Sequence, residues 1–482
     1  MEPAQKPHGV AQDIDWKDFR DHIATADKDG KRRWIYPKKP SGRLHRYRTL
    51  VSWVLLLVMF AGPFVRIRGN PLLMFNIIER KFSILGQIFW PEDSVIFAVA
   101  MLVFITSIIV FTTAFGRLWC GWTCPQTVMM EMVFRKIEYL IEGDGPAQKA
   151  LSEGPWNANK VVRKGLKHGI FLVLSFVVGN TLLSYIIGSD QLAHIIRDDP
   201  RNHVTGLAFM VLFSLVFYAI FAWFREQACT FICPYGRLQS AMLDENTIVV
   251  AYDDKRGEKR APWHREQTAE QRRQAGLGDC VGCRQCVAVC PTGIDIRDGV
   301  QMECINCTAC IDACDSVMDK IGRPRGLVRW ASLNGIETGA PLRYTPRMKA
   351  YTVLLAALVC LLSFLVFTRA DVETMLLRAP GALFQMTAEG RVSNLYTLKV
   401  INKTTHEIPV ELRLEDHAGK IQIMGRGLSV PKEQLGQGSV LVELDAAKTR
   451  GGRVPLRIGV YSGGKLLQTL KTVFVGPRSA EP

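Results

Sequence analysis

The sequence predicts a multi-domain membrane protein: an α-helical bundle of five spans, a cysteine-rich module ahead of the fifth span, and an all-β sandwich at the C-terminal end. Three observations carry that prediction. Five long apolar runs contain no Asp, Glu, Lys, Arg or His, eight of the 13 cysteines fall into two equally spaced runs, and the chain beyond Asp371 alternates apolar and polar residues. At 482 residues the chain is too long for one compact core. A composition 48% hydrophobic and only 22% charged excludes a disordered chain.

The net charge of +15, from 60 Lys+Arg against 45 Asp+Glu, invites a nucleic-acid reading. The basic residues are spread over several segments and form no reader motif, so no nucleic-acid partner is expected. In so apolar a chain they mark membrane topology instead.

The apolar runs are Thr49–Val65, Val95–Phe115, Ile170–Gly188, Gly206–Phe224 and Ala350–Phe367. Each is long enough to cross about 30 Å of hydrocarbon. The first is not a cleavable signal, because a charged arm of 48 residues precedes it. Lys and Arg number twelve in 1–48 (Lys31, Arg32, Arg33, Lys38 and Lys39 among them), eight in 116–169 and eighteen in 225–349, but four in 66–94 and two in 189–205. The rich segments alternate with the poor ones. The arm, the 116–169 loop and the 225–349 block are therefore expected to face the cytoplasm, with the tail on the other side of the membrane. The expected blocks are a cytoplasmic arm 1–48, a membrane domain 49–249, a cysteine module 250–349, a fifth helix 350–368 and a sandwich 369–482.

Two short motifs repeat within the membrane domain. Cys120-Gly-Trp-Thr-Cys124-Pro125 follows the second run and Cys229-Thr-Phe-Ile-Cys233-Pro234 follows the fourth. Spacing of i,i+4 predicts two thiols on one helical face, with the prolines ending or kinking the helix. Such thiols suit a further metal or cluster, transient copper binding or a redox-active dithiol, against the plainer alternative of small residues packing near lipid. That alternative is the reading for Cys360, alone in the fifth run.

The cysteine module holds the strongest signal. Cys280-x-x-Cys283-x-x-Cys286-x-x-x-Cys290-Pro291 is followed by Cys304-x-x-Cys307-x-x-Cys310-x-x-x-Cys314. This is two-cluster ferredoxin spacing, in which each short loop supplies three thiolates to one [4Fe-4S] cubane and the fourth cysteine reaches across to the other. The expected ligand sets are Cys280, Cys283, Cys286 and Cys314 for one cluster, and Cys304, Cys307, Cys310 and Cys290 for the second. Zinc would need only two Cys pairs and leaves the repeated 2-2-3 spacing unexplained. The second run lacks the proline, ending Cys314-Asp315.

No run contains a histidine, which argues against haem slung between spans; His168, His194 and His203 read as ordinary residues at or beyond span ends. Met59, Met74, Met101, Met129, Met130 and Met132 read as packing rather than a copper stripe. In the tail, alternating runs at Tyr396–Ile401, Ile408–Leu414, Val440–Leu444, Val454–Val460 and Leu467–Phe474 are separated by Asn402-Lys403, Gly451-Gly452 and Ser462-Gly463-Gly464. They predict a β-sandwich without disulfides.

Longer strings carry a family resemblance. Gly116-Arg-Leu-Trp-Cys120-Gly-Trp-Thr-Cys124-Pro-Gln-Thr and Arg225-Glu-Gln-Ala-Cys229-Thr-Phe-Ile-Cys233-Pro-Tyr-Gly-Arg resemble the bacterial cytochrome c oxidase accessory proteins called CcoG, FixG or RdxA. So do Asp279-Cys-Val-Gly-Cys, Cys290-Pro-Thr-Gly-Ile-Asp-Ile-Arg-Asp-Gly and Ala313-Cys-Asp-Ser-Val-Met-Asp-Lys. The resemblance implies five membrane helices, a cytoplasmic ferredoxin-like 2[4Fe-4S] module and a periplasmic immunoglobulin-like sandwich. It further implies an iron-sulfur oxidoreductase that assists assembly of cbb3-type oxidases by reducing Cu(II) to Cu(I). Copper is then a substrate, and oxidase assembly factors and copper chaperones are the partners, with an electron donor still to be named. Cys120, Cys124, Cys229 and Cys233 become candidates to receive electrons or copper. Two other classes fit the same cysteines: a quinol-linked relay to a soluble reductase, and a non-enzymatic assembly scaffold whose clusters are structural.

Overall fold

A computed structural model of the chain describes residues 25 and 31–478, apart from 68, 78–80, 265–266, 342–343, 382–383, 388–389, 405, 426, 433 and 450. Residues 1–24 and 26–30 of the arm expected over 1–48 lie outside the described residues. The chain divides into two compact units, residues 1–65 with 95–362, and residues 66–94 with 363–482.

Among the described residues five helices are long and apolar enough to cross a membrane: Arg43–Ala61, Ser94–Phe115, Ala158–Ile187, Pro200–Phe224 and Pro346–Phe367. This is a multi-pass membrane protein. The helices overrun the apolar stretches because hydropathy marks only what must meet lipid, whereas the backbone stays helical until a cap or proline stops it. The third helix thus starts a dozen residues before Ile170, where the Asn157 side chain accepts a hydrogen bond from the Lys160 amide at 2.8 Å. The first ends at Ala61, two residues before Pro63. Hydroxyls within the spans bond back to their own helix, as Ser52 does to the Arg48 carbonyl and Ser175 to that of Phe171. Hydroxyls paired in this way need no lipid-facing water.

In the first unit, Leu56, Met129, Met130, Phe134, Phe171, Val178 and Phe221 form one apolar core, with Met59 packed against it. Met74 lies buried on a strand of the second unit, and Met101 is exposed on the second span. The buried methionines are therefore packing residues in separate places, and exposed Met101 stands apart from them. Cys360 is exposed on the fifth helix.

The cysteine module hangs on an antiparallel pair, Val249–Tyr252 with Val328–Ala331. Two helices, Gln285–Ala288 and Ala309–Lys320, grow out of the cysteine runs. The runs repeat in backbone as well as in sequence. Gly282 and Arg284 of the first, and Asn306 and Thr308 of the second, all adopt positive φ, between 53° and 68°. Gly and Asn enter that left-handed region most easily. Arg284 and Thr308 are held there as the residues that launch each helix.

The second unit contains an immunoglobulin-like sandwich. One sheet runs Gly419–Ile423, Leu435–Asp445, Arg391–Asn402, Val372–Arg378, with Gln385–Met386 alongside Arg391–Asn402; the other runs Leu428–Val430, Ile408–Leu414, Gly451–Ser462, Lys465–Arg478. Every inward position of Arg391–Asn402 from Val392 to Val400 except Asn394 is apolar or the ring of Tyr396. The Tyr396 hydroxyl donates to the Val473 carbonyl across the sandwich at 3.0 Å. All five expected strands are present; Ile408–Leu414 has the expected bounds and the other four run longer. Gly451-Gly452, expected as a turn, instead opens a strand. Residues 66–94 were not foreseen as structured. They carry the meander Leu73–Asn76, Lys81–Ile84, Gln87–Phe89 and end at Asp93, whose carboxylate takes Arg369 at 2.5 Å and Lys403 at 2.6 Å.

Candidate metal centre

Each cysteine run is a loop followed by a helix, so three thiols surround a hollow before the helix carries the fourth away. Two small cavities result. One is lined by Cys290, Cys304, Cys307 and Cys310, walled by Val250, Ile294, Ile296 and Ile305. The other is lined by Cys280, Cys283 and Cys314, with Tyr252, Met318, Leu327 and Val328. Cys286 stands in the partition and touches both. Cys290 and Cys314 therefore each face the cavity built by the opposite run.

All eight thiols are free, and of the eight only Cys283 is exposed. Burial pushes Cys286, Cys304 and Cys314 up to about 12 and Cys307 up to about 11, and drives Cys310 well above the ordinary thiol range. Such thiols stay protonated on their own and become thiolates only beside a strongly cationic group. Among the described residues no three thiol, imidazole or carboxylate groups converge closely enough to hold a single ion. A tetrahedral zinc site needs sulfurs about 2.3 Å from one point. Soft donors spread around an apolar cavity match the demands of a polynuclear iron–sulfur cluster instead.

The membrane-edge cysteines depart from the expected geometry. Cys120 lies in the short helix Leu118–Trp122, which stops at Thr123, and Cys124 caps a new helix, Pro125–Val128. Cys229 sits in a π-helical turn, Ala228–Ile232, and Cys233 caps Pro234–Met242. The thiols of a pair thus share no continuous helical face. The prolines begin helices rather than ending or kinking them, because at the first helical position the missing N–H is no loss and the fixed φ is already helical. The two motifs break alike, with Gly116 at φ 56° and Arg225 at φ 55° each four residues ahead of the first cysteine, and differ in the turn that follows, α-helical around Cys120 and π-helical around Cys229.

The four thiols nevertheless share one neighbourhood. Burial, then the proximity of Cys124, Cys120 and Cys233, pushes Cys229 up to about 12. Burial likewise raises Cys120, against the pull of Arg117. Gln239 bridges them: its amide N–H donates to the Cys120 sulfur at 3.3 Å, and its oxygen accepts from Arg117 Nε at 2.8 Å.

This neighbourhood abuts the cavity of the second run. Cys120 packs against the cluster containing Ile305, Cys307 and Ala309. A methyl group on Gly121 would lie 2.2 Å from the Ile305 carbonyl and 3.1 Å from the Cys307 nitrogen, so only glycine lets the backbones meet. Asn306 ties the contact: its oxygen accepts from the Val250 amide at 3.2 Å, and its carbonyl accepts from Trp122 Nε1 at 3.3 Å.

Sequence reasoning missed several of these residues. Gly121, Gln239, Asn306 and Arg48 carry no motif of their own; the one available signal was a charge, Arg48 or Arg117, placed hard against an apolar run. It also missed a buried ionic knot in which Glu138 accepts Arg225 at 2.7 Å and meets Lys167 at 3.7 Å, while Lys167 also reaches Glu142 at 3.0 Å. Burial opposes ionisation of Glu138, but Arg225, Lys167 and Arg135 prevail and hold it below the usual carboxylate range. Of the histidines, His168 bonds the Tyr218 hydroxyl at 2.8 Å, His203 pairs with Asp198 at 3.0 Å, and His194 lies within a helix.

Comparison with known proteins adds family evidence. Residues 224–333 match a "4Fe-4S dicluster domain", 97–141 a "4Fe-4S binding domain" and 362–477 the "IG-like fold at C-terminal of FixG". The chain is 33% identical to "Nitrogen fixation protein FixG" of Rhizobium meliloti over 80% of each chain. It is 34% identical to "Protein RdxA" of Cereibacter sphaeroides over 92% of this chain and 98% of that one. "Protein RdxB" of the same organism is 30% identical, over 82% and 87% respectively.

Proposed function

The chain belongs to the FixG family of membrane iron–sulfur proteins of the oxidoreductase class, and on that premise we propose that it reduces Cu(II) to Cu(I) during assembly of a cbb3-type oxidase. The observation that carries this reading is the crosswise lining of the two cavities. Cys280, Cys283, Cys286 and Cys314 hold one [4Fe-4S] cluster, and Cys304, Cys307, Cys310 and Cys290 the other. Such clusters, when bound, supply single low-potential electrons, and Cu(II) takes one to become Cu(I).

The protein's own residues divide the remaining work. Exposed Cys283 offers the approach for an electron donor, while apolar walls keep water from the buried thiols. Gly121 and Asn306 hold the second run against the membrane-edge cysteines. Cys120, Cys124, Cys229 and Cys233 present soft sulfur, which prefers Cu(I) to Cu(II). The Lys and Arg distribution supports an arm and cysteine module in the cytoplasm and a sandwich in the periplasm, where it docks assembly factors and copper chaperones.

The test is anaerobic purification with iron analysis and spectroscopy, followed by Cu(II) addition to the reduced protein with a Cu(I)-specific chelator present. Two cluster equivalents and one Cu(I) formed per electron stored support the reading. Full clusters that quinol reduces but Cu(II) does not reoxidise replace it with the relay. Cluster-free variants that still mature the oxidase replace it with the scaffold.

A further inference from the structure

Two arginines flank the cavity of Cys290, Cys304, Cys307 and Cys310, and neither has a carboxylate partner among the described residues. Arg48, on the first span helix, is 2% exposed, and its Nε donates to the Gly121 carbonyl at 2.6 Å. Its Nη2 is buried with no hydrogen-bond acceptor. Arg117 is 7% exposed; it donates to the Gln239 side-chain oxygen at 2.8 Å and to the Gly236 carbonyl at 3.0 Å. Carbonyls satisfy donors but do not cancel charge, and a buried, unbalanced cation is costly unless negative charge lies nearby.

What lies nearby is the second cysteine run. Arg48 is bonded to Gly121, which lies so close to the second run that a methyl group on it would meet the Ile305 carbonyl and the Cys307 nitrogen. Arg117 neighbours Cys120 through Gln239 and also lowers the thiol of Cys304. Glu131 acts on Cys307 in the opposite sense, but it is itself paired with Arg135 at 2.6 Å. The other cavity is arranged differently. Of the two arginines that line it, Arg284 is exposed, so solvent screens its charge, and Arg297 is neutralised by Asp295 at 2.5 Å and 2.8 Å. Arg256 and Arg323 nearby share Asp279, at 2.7 Å and 3.3 Å. Asp315 adds negative charge beside Cys314.

We infer that Arg48 and Arg117 are positioning residues that make the Cys290/Cys304/Cys307/Cys310 site the preferred seat of an added electron, so that an electron entering beside exposed Cys283 moves toward the membrane-edge thiols. The inference rests on the proposed occupancy of both sites by [4Fe-4S] clusters. The step is one electron: a one-electron carrier of ferredoxin or flavin class is oxidised by one unit, the two-cluster protein is reduced by one unit, and no bond or proton need change. A fixed cation at low dielectric stabilises the form with one more negative charge, and charge and hydrogen bonding are recognised levers on cluster potential.

The experiment is an EPR-monitored dithionite titration of the full-length holoprotein, anaerobic in detergent, with iron measured on every sample. Cys307→Ser identifies the wave of the inner site by removing it. In wild type that wave is expected at the higher potential. Arg48→Gln should lower it selectively, shifting the electron partition between the sites at least tenfold, or 59 mV for one electron. Arg48→Lys, which keeps the charge, should restore most of the shift, an outcome that a purely structural role does not produce. Should Arg48→Gln fail to accumulate, Arg117→Gln is titrated in its place with the same expectation. An unmoved inner wave at full iron content, an equal shift of both waves, or an inner wave below the outer one in wild type overturns the inference. A wild-type protein lacking two clusters overturns the cluster reading itself, a separate result visible in the iron count.

Discussion

Gly121 is the point at which the membrane-edge motif touches the second cysteine run, and Gly121→Ala probes that contact alone. The added carbon would sit 2.2 Å from the Ile305 carbonyl, where ordinary contact begins at 3.4 Å. The obstacle is backbone on both sides, so no side-chain rotation relieves it. The loop carrying Cys304, Asn306 and Cys307 must move by most of that difference. Overpacking of this kind costs about 1–3 kcal/mol. Moving the loop also weakens the bonds from Val250 and Trp122 to Asn306, each worth about 1 kcal/mol. The loss falls on one cavity, because the atoms that the new carbon meets first, in Ile305, Asn306 and Cys307, belong to the loop that lines the Cys290/Cys304/Cys307/Cys310 cavity. The expected outcome is a protein that still inserts in the membrane, with iron content falling toward half and the EPR signal of one cluster lost or broadened. Full iron content, an unchanged two-cluster spectrum and unaltered thermal stability would refute the proposed contact.

Further expectations follow from the same structure. Cys283→Ser and Cys307→Ser should each halve the iron and spare a different cluster, since the cavities are separately lined; identical spectra for the two variants would contradict the assignment. Glu138→Gln should destabilise the first unit by about 3 kcal/mol, because it takes the nearest carboxylate from buried Arg225 and leaves it only Glu226 at 3.9 Å; protease resistance in detergent measures it, and a wild-type profile counts against the ionic knot. Around Asp93, burial opposes ionisation but the hydrogen bonds from Arg369 and Lys403 prevail, holding the carboxyl below its usual value. Its stabilisation is thus complete above the unfolded value of about 3.9 and fades as pH falls through the lower folded value. Cleavage within 66–94 should therefore rise in acid, and Asp93→Asn should show that susceptibility at neutral pH.

Much of this architecture is legible in local pattern. Five charge-free runs become helices because lipid demands both apolar surface and internally bonded backbone, and both demands are met within one segment. Five alternating runs become strands because period two places every second side chain in one core. The repeated cysteine spacing is local as well, and so is the pair of positive-φ positions that lets each loop fold back into a helix. Where a local rule was applied to the membrane-edge cysteines it misled: helical spacing takes continuity for granted, and the chain leaves the helix at Thr123 in one pair and at Cys233 in the other.

Other features depend on contacts between residues far apart in the chain. That residues 66–94 fold with the C-terminal sandwich follows from Asp93 meeting Arg369 and Lys403, some 280 to 310 positions later. The meeting of Gly121 with Ile305, the placing of Arg48 over that contact, and the neutralisation of Arg297 but not of Arg48 have no periodic trace. Spacing can count sulfur donors. It cannot say which buried cation lacks its anion, because charge balance at a buried site is set by what the folded chain brings within a few ångströms.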